Sequence, residues 1–352
     1  MNTLSKYNKF KPLINFSPGP AQIHPNILKN IIKKKYSVHP LEMNHRCIEF
    51  ELLLKRVNKN MRTFMKIPND FSIMWTQGGA HAQFSAVPYN LCEDINDKAK
   101  YLVNGHWSKR AFNEASHIIQ PQNSLKINED DIYLYMCSNE TMNGIEIKHY
   151  PNRTILGNTK LVLDMSSDFG MKQVPWKNVD VVFASCSKNF GCSGSTITII
   201  RKNISKNRIM PSILNWNMYK NSIYNTPNVH HIHILDIVLK YYLNETIEKI
   251  EQQTNIKSKM VYDFLDNSKV FSPKIKDIVL RSNINIPFTL EKEEDFLKYC
   301  YRNNIVGLKT ENPFNENLLR ISLYNGITIE NVNTLIKTMQ QYENTFHNIY
   351  DL

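Results

Sequence analysis

Lys188 stands in the stretch Ala184-Ser-Cys-Ser-Lys-Asn-Phe-Gly-Cys-Ser-Gly194, a loop of small and polar residues. A mostly apolar run, Val179 to Ala184, precedes the loop, and a β-branched run, Ser195-Thr-Ile-Thr-Ile-Ile-Arg201, follows it. The pattern predicts strand, tight loop, strand. A lysine held on a rigid loop between two strands is placed to form a Schiff base with a carbonyl compound. An ordinary polar hairpin would carry the same pattern, so the chemical reading depends on what else the chain brings to the loop.

Several other positions have the right chemistry to join it. Lys160-Leu-Val-Leu-Asp164 is a short strand ending in a carboxylate. Trp107 follows the strand Lys100-Tyr-Leu-Val-Asn104, and Thr141 lies in Ser138-Asn-Glu-Thr-Met-Asn-Gly144, just past the strand Asp131 to Cys137. Phe71-Ser-Ile-Met-Trp75 runs into Thr76-Gln-Gly-Gly-Ala-His-Ala-Gln-Phe84. A Gly-rich turn before a helix start offers free backbone N–H groups and a positive helix end to a phosphate. A tight turn that merely packs helix on sheet would use the same two glycines. Arg46, beside His45, could clamp a carboxylate or phosphate bidentately. It could equally belong to the start of the amphipathic helix running from Ile48 to Met65.

The elements that must position these groups are strands spaced by helices, which argues for an α/β layer with a mostly parallel sheet. Ligands collect at the carboxyl ends of such strands. Gly78, Gly79, Trp107, Thr141 and Asp164 all fall at or just past strand ends, so the topology can gather them beside Lys188. A long helical region is expected from about Val229 to Asn267, broken near Asn255, as a spine between two domains. A strand over Val279 to Phe288, a helix over Glu294 to Asn303, a strand over Leu319 to Asn325 and a helix from Ile329 complete the chain. His230, His231 and His233 open the long helix with no further ligand at metal-site spacing, so core or surface roles are expected and no metal.

Composition narrows the function classes. The 352 residues suggest about two domains, and a hydrophobic fraction of 42% with 21% charged residues fits a globular protein with ample core. The net charge is +11, yet the cations are dispersed. The one tight run, Lys33-Lys34-Lys35, reads as the solvated end of a helix. Without a basic stripe interleaved with aromatics, no nucleic acid partner is expected. The six cysteines form no Cys-x-x-Cys pair, which argues against a disulfide framework or zinc site and for a reducing compartment. No apolar run reaches membrane-spanning length, so no membrane partner is expected. The N-terminus lacks a signal-peptide apolar region. Its basic, acid-free character leaves an organelle-targeting segment open, and a cytoplasmic location is expected.

Pyridoxal phosphate would use each candidate. It requires a lysine for its aldehyde, supplied by Lys188, and a carboxylate against its ring nitrogen, supplied by Asp164. Trp107 offers an aromatic cover for the ring, and residues 78–82 offer a helix start for the phosphate.

The same residues carry a family resemblance. The segments Asn15-Phe-Ser-Pro-Gly-Pro20, Met43-Asn-His-Arg-Cys-Ile-Glu-Phe50, Gln77-Gly-Gly-Ala-His-Ala-Gln-Phe-Ser-Ala-Val-Pro88, Ser138-Asn-Glu-Thr-Met-Asn-Gly144, Asp164-Met-Ser-Ser167, Ser187-Lys-Asn-Phe-Gly191, Pro211-Ser-Ile-Leu214, Tyr224-Asn-Thr-Pro227, Arg281-Ser-Asn-Ile-Asn-Ile-Pro-Phe288 and Arg320-Ile-Ser-Leu-Tyr-Asn325 are colinear over nearly the whole chain. In them the chain resembles the phosphoserine aminotransferases, members of the fold-type I, class V aminotransferases. The resemblance implies a large pyridoxal phosphate-binding domain over 24–253 with a mostly parallel seven-stranded sheet between helices. It implies a smaller α+β domain from 1–23 and 254–352. The implied reaction moves an amino group between L-glutamate and 3-phosphohydroxypyruvate, giving O-phospho-L-serine and 2-oxoglutarate. Lys188 would hold the cofactor and shuttle a proton, Asp164 would pair with the ring nitrogen, Trp107 would stack, and Thr141 would bond near the ring oxygen. Backbone N–H groups of Ala80 and His81, with Ser187, would bind the phosphate. Asn225 and Thr226 would reach that phosphate from the partner of a homodimer with shared active sites. Arg320 would grip the α-carboxylate, and Ser17, His45 and Arg46 would line the substrate pocket.

Three departures from the family pattern stand out. Ser187 replaces the usual Gln before the lysine, and His81 stands where bacterial members carry Arg. A His-Arg pair expected shortly before Arg320 is missing from Lys309-Thr-Glu-Asn-Pro-Phe-Asn-Glu-Asn-Leu-Leu319, where Glu311-Asn312 falls instead. A carboxylate beside a substrate phosphate repels it by roughly 1 kcal/mol in water and more in a drier cleft. Two alternatives therefore stand beside the phosphorylated substrate. One is a non-phosphorylated oxo acid for the same chemistry, the other a catalytically degenerate homologue acting as a binding partner.

Overall fold

Runs rich in β-branched and aromatic residues set the architecture, since such side chains fit a pleated, half-buried surface. The structure, a computed structural model, describes residues 13–31, 39–191, 193–219, 223–310 and 318–350. The Lys33–Lys35 run and Glu311-Asn312 lie outside the described residues. In chain order the strands are β1 (Ile14–Asn15), β2 (Phe71–Thr76), β3 (Lys98–Leu102), β4 (Gln120–Asn123), β5 (Asp131–Cys137), β6 (Asn139–Glu140), β7 (Ile145–Glu146), β8 (Lys160–Asp164), β9 (Val181–Ser185), β10 (Thr196–Arg201), β11 (Ser272–Pro273), β12 (Asn285–Thr289), β13 (Ile305–Val306), β14 (Lys309–Thr310) and β15 (Leu318–Ser322). The helices are α1 (Pro25–Ile31), α2 (Ile48–Met65), α3 (Gly79–Leu91), α4 (His106–Ala115), α5 (Arg153–Leu156), α6 (Val229–Tyr242), α7 (Ile247–Asn267), α8 (Glu293–Arg302) and α9 (Ile329–Tyr350).

The main sheet has seven strands in the order β2-β10-β9-β8-β5-β3-β4. The pairs β9–β8, β8–β5, β5–β3 and β3–β4 are parallel. β10 is antiparallel to both neighbours, as expected for a strand that follows β9 across a loop rather than a crossover helix. This is the α/β, mostly parallel architecture read from the sequence. Alternation along the strands splits the core. Leu134, Met136, Leu161, Leu163 and Val182 face one cluster with α2 and α6, while Tyr133, Tyr135, Val162, Val181 and Phe183 face another with α3 and α4. α2 buries Leu53, Val57, Met61 and Phe64 at helical spacing, each contributing about 1.5–3 kcal/mol on transfer from water.

A second, four-stranded sheet, β11-β12-β15-β14, packs its own core with α7, α8 and α9. β1 pairs with β13, so the N-terminal segment lies on this second unit. α7 bridges the two cores: Ile247 and Ile250 belong to the first, Val261, Tyr262 and Leu265 to the second.

Two expectations need correction. The break in the long helical region is at 243–246, not near Asn255. Thr246 takes φ 54° and its hydroxyl accepts from Lys249 N, starting a new helix. Asn255 sits inside α7, where its side-chain oxygen accepts from Asn283 Nδ2 at 2.8 Å. The strand expected from Val279 begins only at Asn285, because Ile278–Leu280 form a 3-10 turn capped by Asp277. β4 contains Pro121, which is tolerated because β4 is the sheet edge.

Candidate active site

Asp164 ends β8 and Ser185 ends β9, and the parallel register sets Asp164 opposite Phe183. The loop after β9 then carries Lys188 back over these carboxyl ends. A cavity of about 170 Å³ opens there, lined by Gly79, Ala80, His81, Trp107, Cys137, Asn139, Thr141, Asp164, Ser166, Ser167, Ser185 and Lys188. The carboxyl ends of β5, β8 and β9 and the starts of α3 and α4 therefore meet at one point, as parallel α/β topology dictates.

Asp164 is 2% exposed. Its Oδ1 accepts from Ser166 N at 2.9 Å and its Oδ2 from the Tyr135 hydroxyl at 3.2 Å. Burial raises its pKa to about 6, and the Ser166 hydrogen bonds act in the opposite sense. A cationic ring nitrogen placed against this carboxyl would hold it ionised. Lys188 Nζ donates to Pro18 O and lies 5.7 Å from the Tyr324 ring centroid. Burial, and then the nearby Arg320 cation, lower its pKa to about 8. A neutral amine is thus present near neutral pH, as a carbonyl-directed nucleophile needs.

Trp107 Nε1 donates to Thr141 Oγ1 at 2.6 Å, which fixes the indole over the cavity. The main chain of α4 is anchored by Glu140, a buried carboxylate the sequence reading passed over. Its oxygens accept from Trp107 N at 2.9 Å, Ser108 N at 2.7 Å and Ser108 Oγ at 2.6 Å. A negative charge at a helix N-terminus is favourable. Gly105 is required there, because a Cβ would stand 2.4 Å from the Glu140 carboxyl carbon. Asn139, also passed over, joins the cavity to the second sheet: its Nδ2 donates to Ser167 Oγ and Asn285 Oδ1, both at 2.8 Å. Their signal was present in the polar run after β5, from which only Thr141 was selected.

α3 starts at Gly79 with no side-chain cap. Gly78 takes φ +88°, and a Cβ on it would meet Ala82 Cβ at 2.6 Å. The uncapped first turn, with Ala80 and His81, forms one wall of the cavity. His81 packs edge-on to Trp107, ring centroids 5.7 Å apart. Its partial burial, and then Arg110, hold it below the usual histidine pKa. On β15, Arg320 is 1% exposed and its Nη1 donates to Thr141 O and, at 3.6 Å, to Met142 Sδ. It therefore borders the same site.

The other expected residues lie around this centre. Ser187 Oγ is 2.9 Å from Ser185 Oγ, and Ser187 O accepts from Ala21 N. Ser17 N donates to Asn15 Oδ1, and a Cβ on Gly307 would fall 2.4 Å from Ser17 N, so the residue after β13 packs closely on this segment. Seven of the expected residues do not line the Lys188 cavity of their own chain: Ser17, Ser187 and Arg320, described above, and His45, Arg46, Asn225 and Thr226. His45 is half-buried and Arg46 exposed in the turn before α2. Asn225 Nδ2 donates to Gln77 Oε1 at 3.3 Å and Thr226 O accepts from Gln77 Nε2 at 3.0 Å. Asn225 lines a separate groove with Glu51, Lys55 and Tyr224. His231 is buried in α6, and burial lowers its pKa to about 4.

The family model described as "Aminotransferase class-V" matches residues 13–335. The chain belongs to the class-V aminotransferases. It is 32% identical over 362 residues to "Phosphoserine aminotransferase 2, chloroplastic" of Arabidopsis thaliana, covering 94% of this chain and 84% of that protein. It is 34% identical to a "Probable phosphoserine aminotransferase" of Caenorhabditis elegans, covering 94% and 96%. Among solved structures, pyridoxal phosphate-bound phosphoserine aminotransferase from Trichomonas vaginalis superposes with a TM-score of 0.85 at 27% identity, covering 93% of this chain and 99% of that one.

In this class-V aminotransferase the residues present fit that cofactor. The cavity places a low-pKa amine, a buried carboxylate with few donors, a clamped indole and an uncapped helix start around one space. Each matches one chemical part of pyridoxal phosphate: aldehyde, ring nitrogen, ring face and phosphate.

Proposed function

We propose that the chain is a pyridoxal phosphate-dependent phosphoserine transaminase, exchanging an amino group between L-glutamate and 3-phosphohydroxypyruvate to give O-phospho-L-serine and 2-oxoglutarate. The observation that carries the reading is the pairing of Lys188 with Asp164 across one cavity at the ends of β8 and β9. The names of the relatives supply the substrate class. When bound, the cofactor supplies an electrophilic carbon and an electron sink.

The chain's own residues do the rest. Lys188 would hold the cofactor through its Nζ and, as the free amine, whose pKa is lowered to about 8, would carry a proton there. Asp164 keeps negative charge against the ring nitrogen. Trp107 and Thr141 cover and orient the ring, and Ala80 and His81 N–H groups with Ser187 receive the phosphate. Arg320 binds the substrate α-carboxylate with its planar fork, and Ser17 lines the substrate side.

Asn225, Thr226, His45 and Arg46 lie outside their own chain's cavity. We assign them to the site of a second copy, so the working form is a homodimer with shared sites. The domain division at 253/254, inside α7, and a cytoplasmic location belong to the same proposal. The purified protein should show a visible Schiff-base absorbance that disappears in Lys188→Ala. Wild-type protein that takes up no cofactor from added pyridoxal phosphate would refute the assignment.

A second reading concerns only the oxo acid. No His-Arg pair precedes Arg320, and Glu311-Asn312 occupies its place in the sequence. Turnover of 3-phosphohydroxypyruvate against hydroxypyruvate and glyoxylate decides it: preference for the phosphorylated acid favours the first reading, preference for the others the second.

A further inference from the structure

Among the described residues two lysines are nearly inaccessible, Lys100 and Lys257, and Lys257 is ion-paired to no carboxylate. Lys100 lies 3.4 Å from Asp131, and the half-buried Lys172 lies 2.8 Å from Asp168 and 3.1 Å from Glu146. Lys257, on α7 and 4% exposed, instead donates to three backbone carbonyls: Leu323 O at 3.0 Å, Tyr324 O at 3.3 Å and Ile327 O at 2.9 Å. An ammonium has three donors and no acceptor, so the three carbonyls match the full complement of the protonated form, while burial lowers the pKa of the group to about 7. The charged and titratable groups around it line the adjoining 240 Å³ cavity: His24, Tyr241, Tyr242, Glu245 and Glu330.

The turn it holds is the carboxyl end of the Arg320 strand, and it reaches Lys188 by two routes. The Tyr324 hydroxyl donates to Pro18 O at 3.0 Å, the same oxygen that accepts from Lys188 Nζ. Asn325 N donates to Asn189 Oδ1 at 3.3 Å, and Asn325 Nδ2 to Gly170 O at 2.9 Å, beside the lysine loop. The two residues assigned to covalent chemistry and to carboxylate binding therefore share one braced turn.

We propose that Lys257 is a positioning residue: its amino group, held by three backbone carbonyls, ties the end of the Arg320 strand to the Lys188 loop. This rests on the site reading above. With the brace gone, the turn loosens, water reaches Lys188, and the enclosure that depresses its basicity is lost.

The test is chemical rescue. Lys257→Ala deletes a fragment the size of n-propylammonium, and the adjoining cavity gives that cation a way in. In cofactor-free protein the pH midpoint for acylation of Lys188, read by mass spectrometry, should rise by about one unit in the variant. n-Propylammonium should restore it, and tetramethylammonium, which has no N–H, should not. In holoenzyme the pH midpoint of the visible cofactor band should shift and recover in parallel. Should Lys257→Ala fold only with n-propylammonium present, that dependence itself supports the socket, and Lys257→Met, which fills the space without donors, supplies the Lys188 midpoint. An unchanged midpoint in both variants, or equal rescue by tetramethylammonium, overturns the proposal. If wild-type protein binds no pyridoxal phosphate, the site reading fails, while the cofactor-free midpoint still decides the role of Lys257.

Discussion

Gly19 lies against Lys188 so closely that a Cβ built on it would stand 2.9 Å from Nζ and 3.0 Å from Cδ and Cε. The lysine that defines the loop after β9 is thus shaped from outside by the N-terminal segment, which itself hangs on β13. Gly19 has φ +139°, a conformation L side chains rarely adopt. Gly19→Ala should cost roughly 1–3 kcal/mol of stability from backbone strain. It should also displace the lysine tip. A misplacement on the order of 1 Å costs about 10²-fold in rate. Urea unfolding and steady-state turnover check this; wild-type turnover in the alanine variant would contradict the close packing.

Lys188 also makes a pH prediction. Its pKa falls from 10.5 to about 8, through burial first and Arg320 second. Between pH 8 and 10.5 the unfolded chain holds a proton that the folded chain has released, so stability rises with pH across that window. Below pH 8 the full penalty remains. Lys188→Met lacks this contribution. The stability of cofactor-free wild type relative to the variant should therefore improve by about 2–3 kcal/mol from pH 7 to pH 10. Paired denaturant titrations at the two pH values measure it, and a flat difference would show that the amine is not enclosed.

Much of this was legible in the sequence. The strand ends at Asp164 and Cys137 and the glycines at 78–79 located the site because parallel topology puts such ends together whatever the loops do. Arg320 was legible through its motif. Glu140 and Lys257 were not, because their roles depend on what they face: a helix start in one case, a turn 66 residues away in the other. Pattern and propensity carry no information on such non-local pairings. The helix break was misplaced for a related reason. Asn255 looks like a helix breaker until Asn283 satisfies its amide, whereas the true break depends on a left-handed residue, Thr246.

Glu140 gives a prediction that sequence reading would not have raised. Its two oxygens accept three hydrogen bonds from the start of α4. In Glu140→Gln one oxygen becomes a donor facing N–H groups. A buried donor left unsatisfied costs about 1–3 kcal/mol, and the residue freed is Trp107. Cofactor affinity, followed by absorbance or by quenching of indole fluorescence, should weaken, with lower thermal stability. Thr141→Val should weaken affinity through the indole and through the lost hydroxyl at the ring, and leave α4 capped. If the glutamine variant matches wild type in both measurements, Glu140 does not hold the indole.

Arg320 separates charge from geometry. Its cation is the second cause of the low Lys188 pKa, after burial, and its planar fork is the group proposed for the α-carboxylate. Lysine keeps the charge but presents it as a point, without parallel donors. Arg320→Lys should therefore leave the Lys188 midpoint near 8 while KM for glutamate rises; loss of a charge-assisted hydrogen bond worth about 1.5–3 kcal/mol predicts roughly 10- to 100-fold. Arg320→Met loses both properties, so KM should rise at least as far and the Lys188 midpoint should move upward as well. If lysine shifted the midpoint as far as methionine does, the Arg320 charge would not be what Lys188 feels. The coupling would then run through the packing of the fork against Thr141 and Met142.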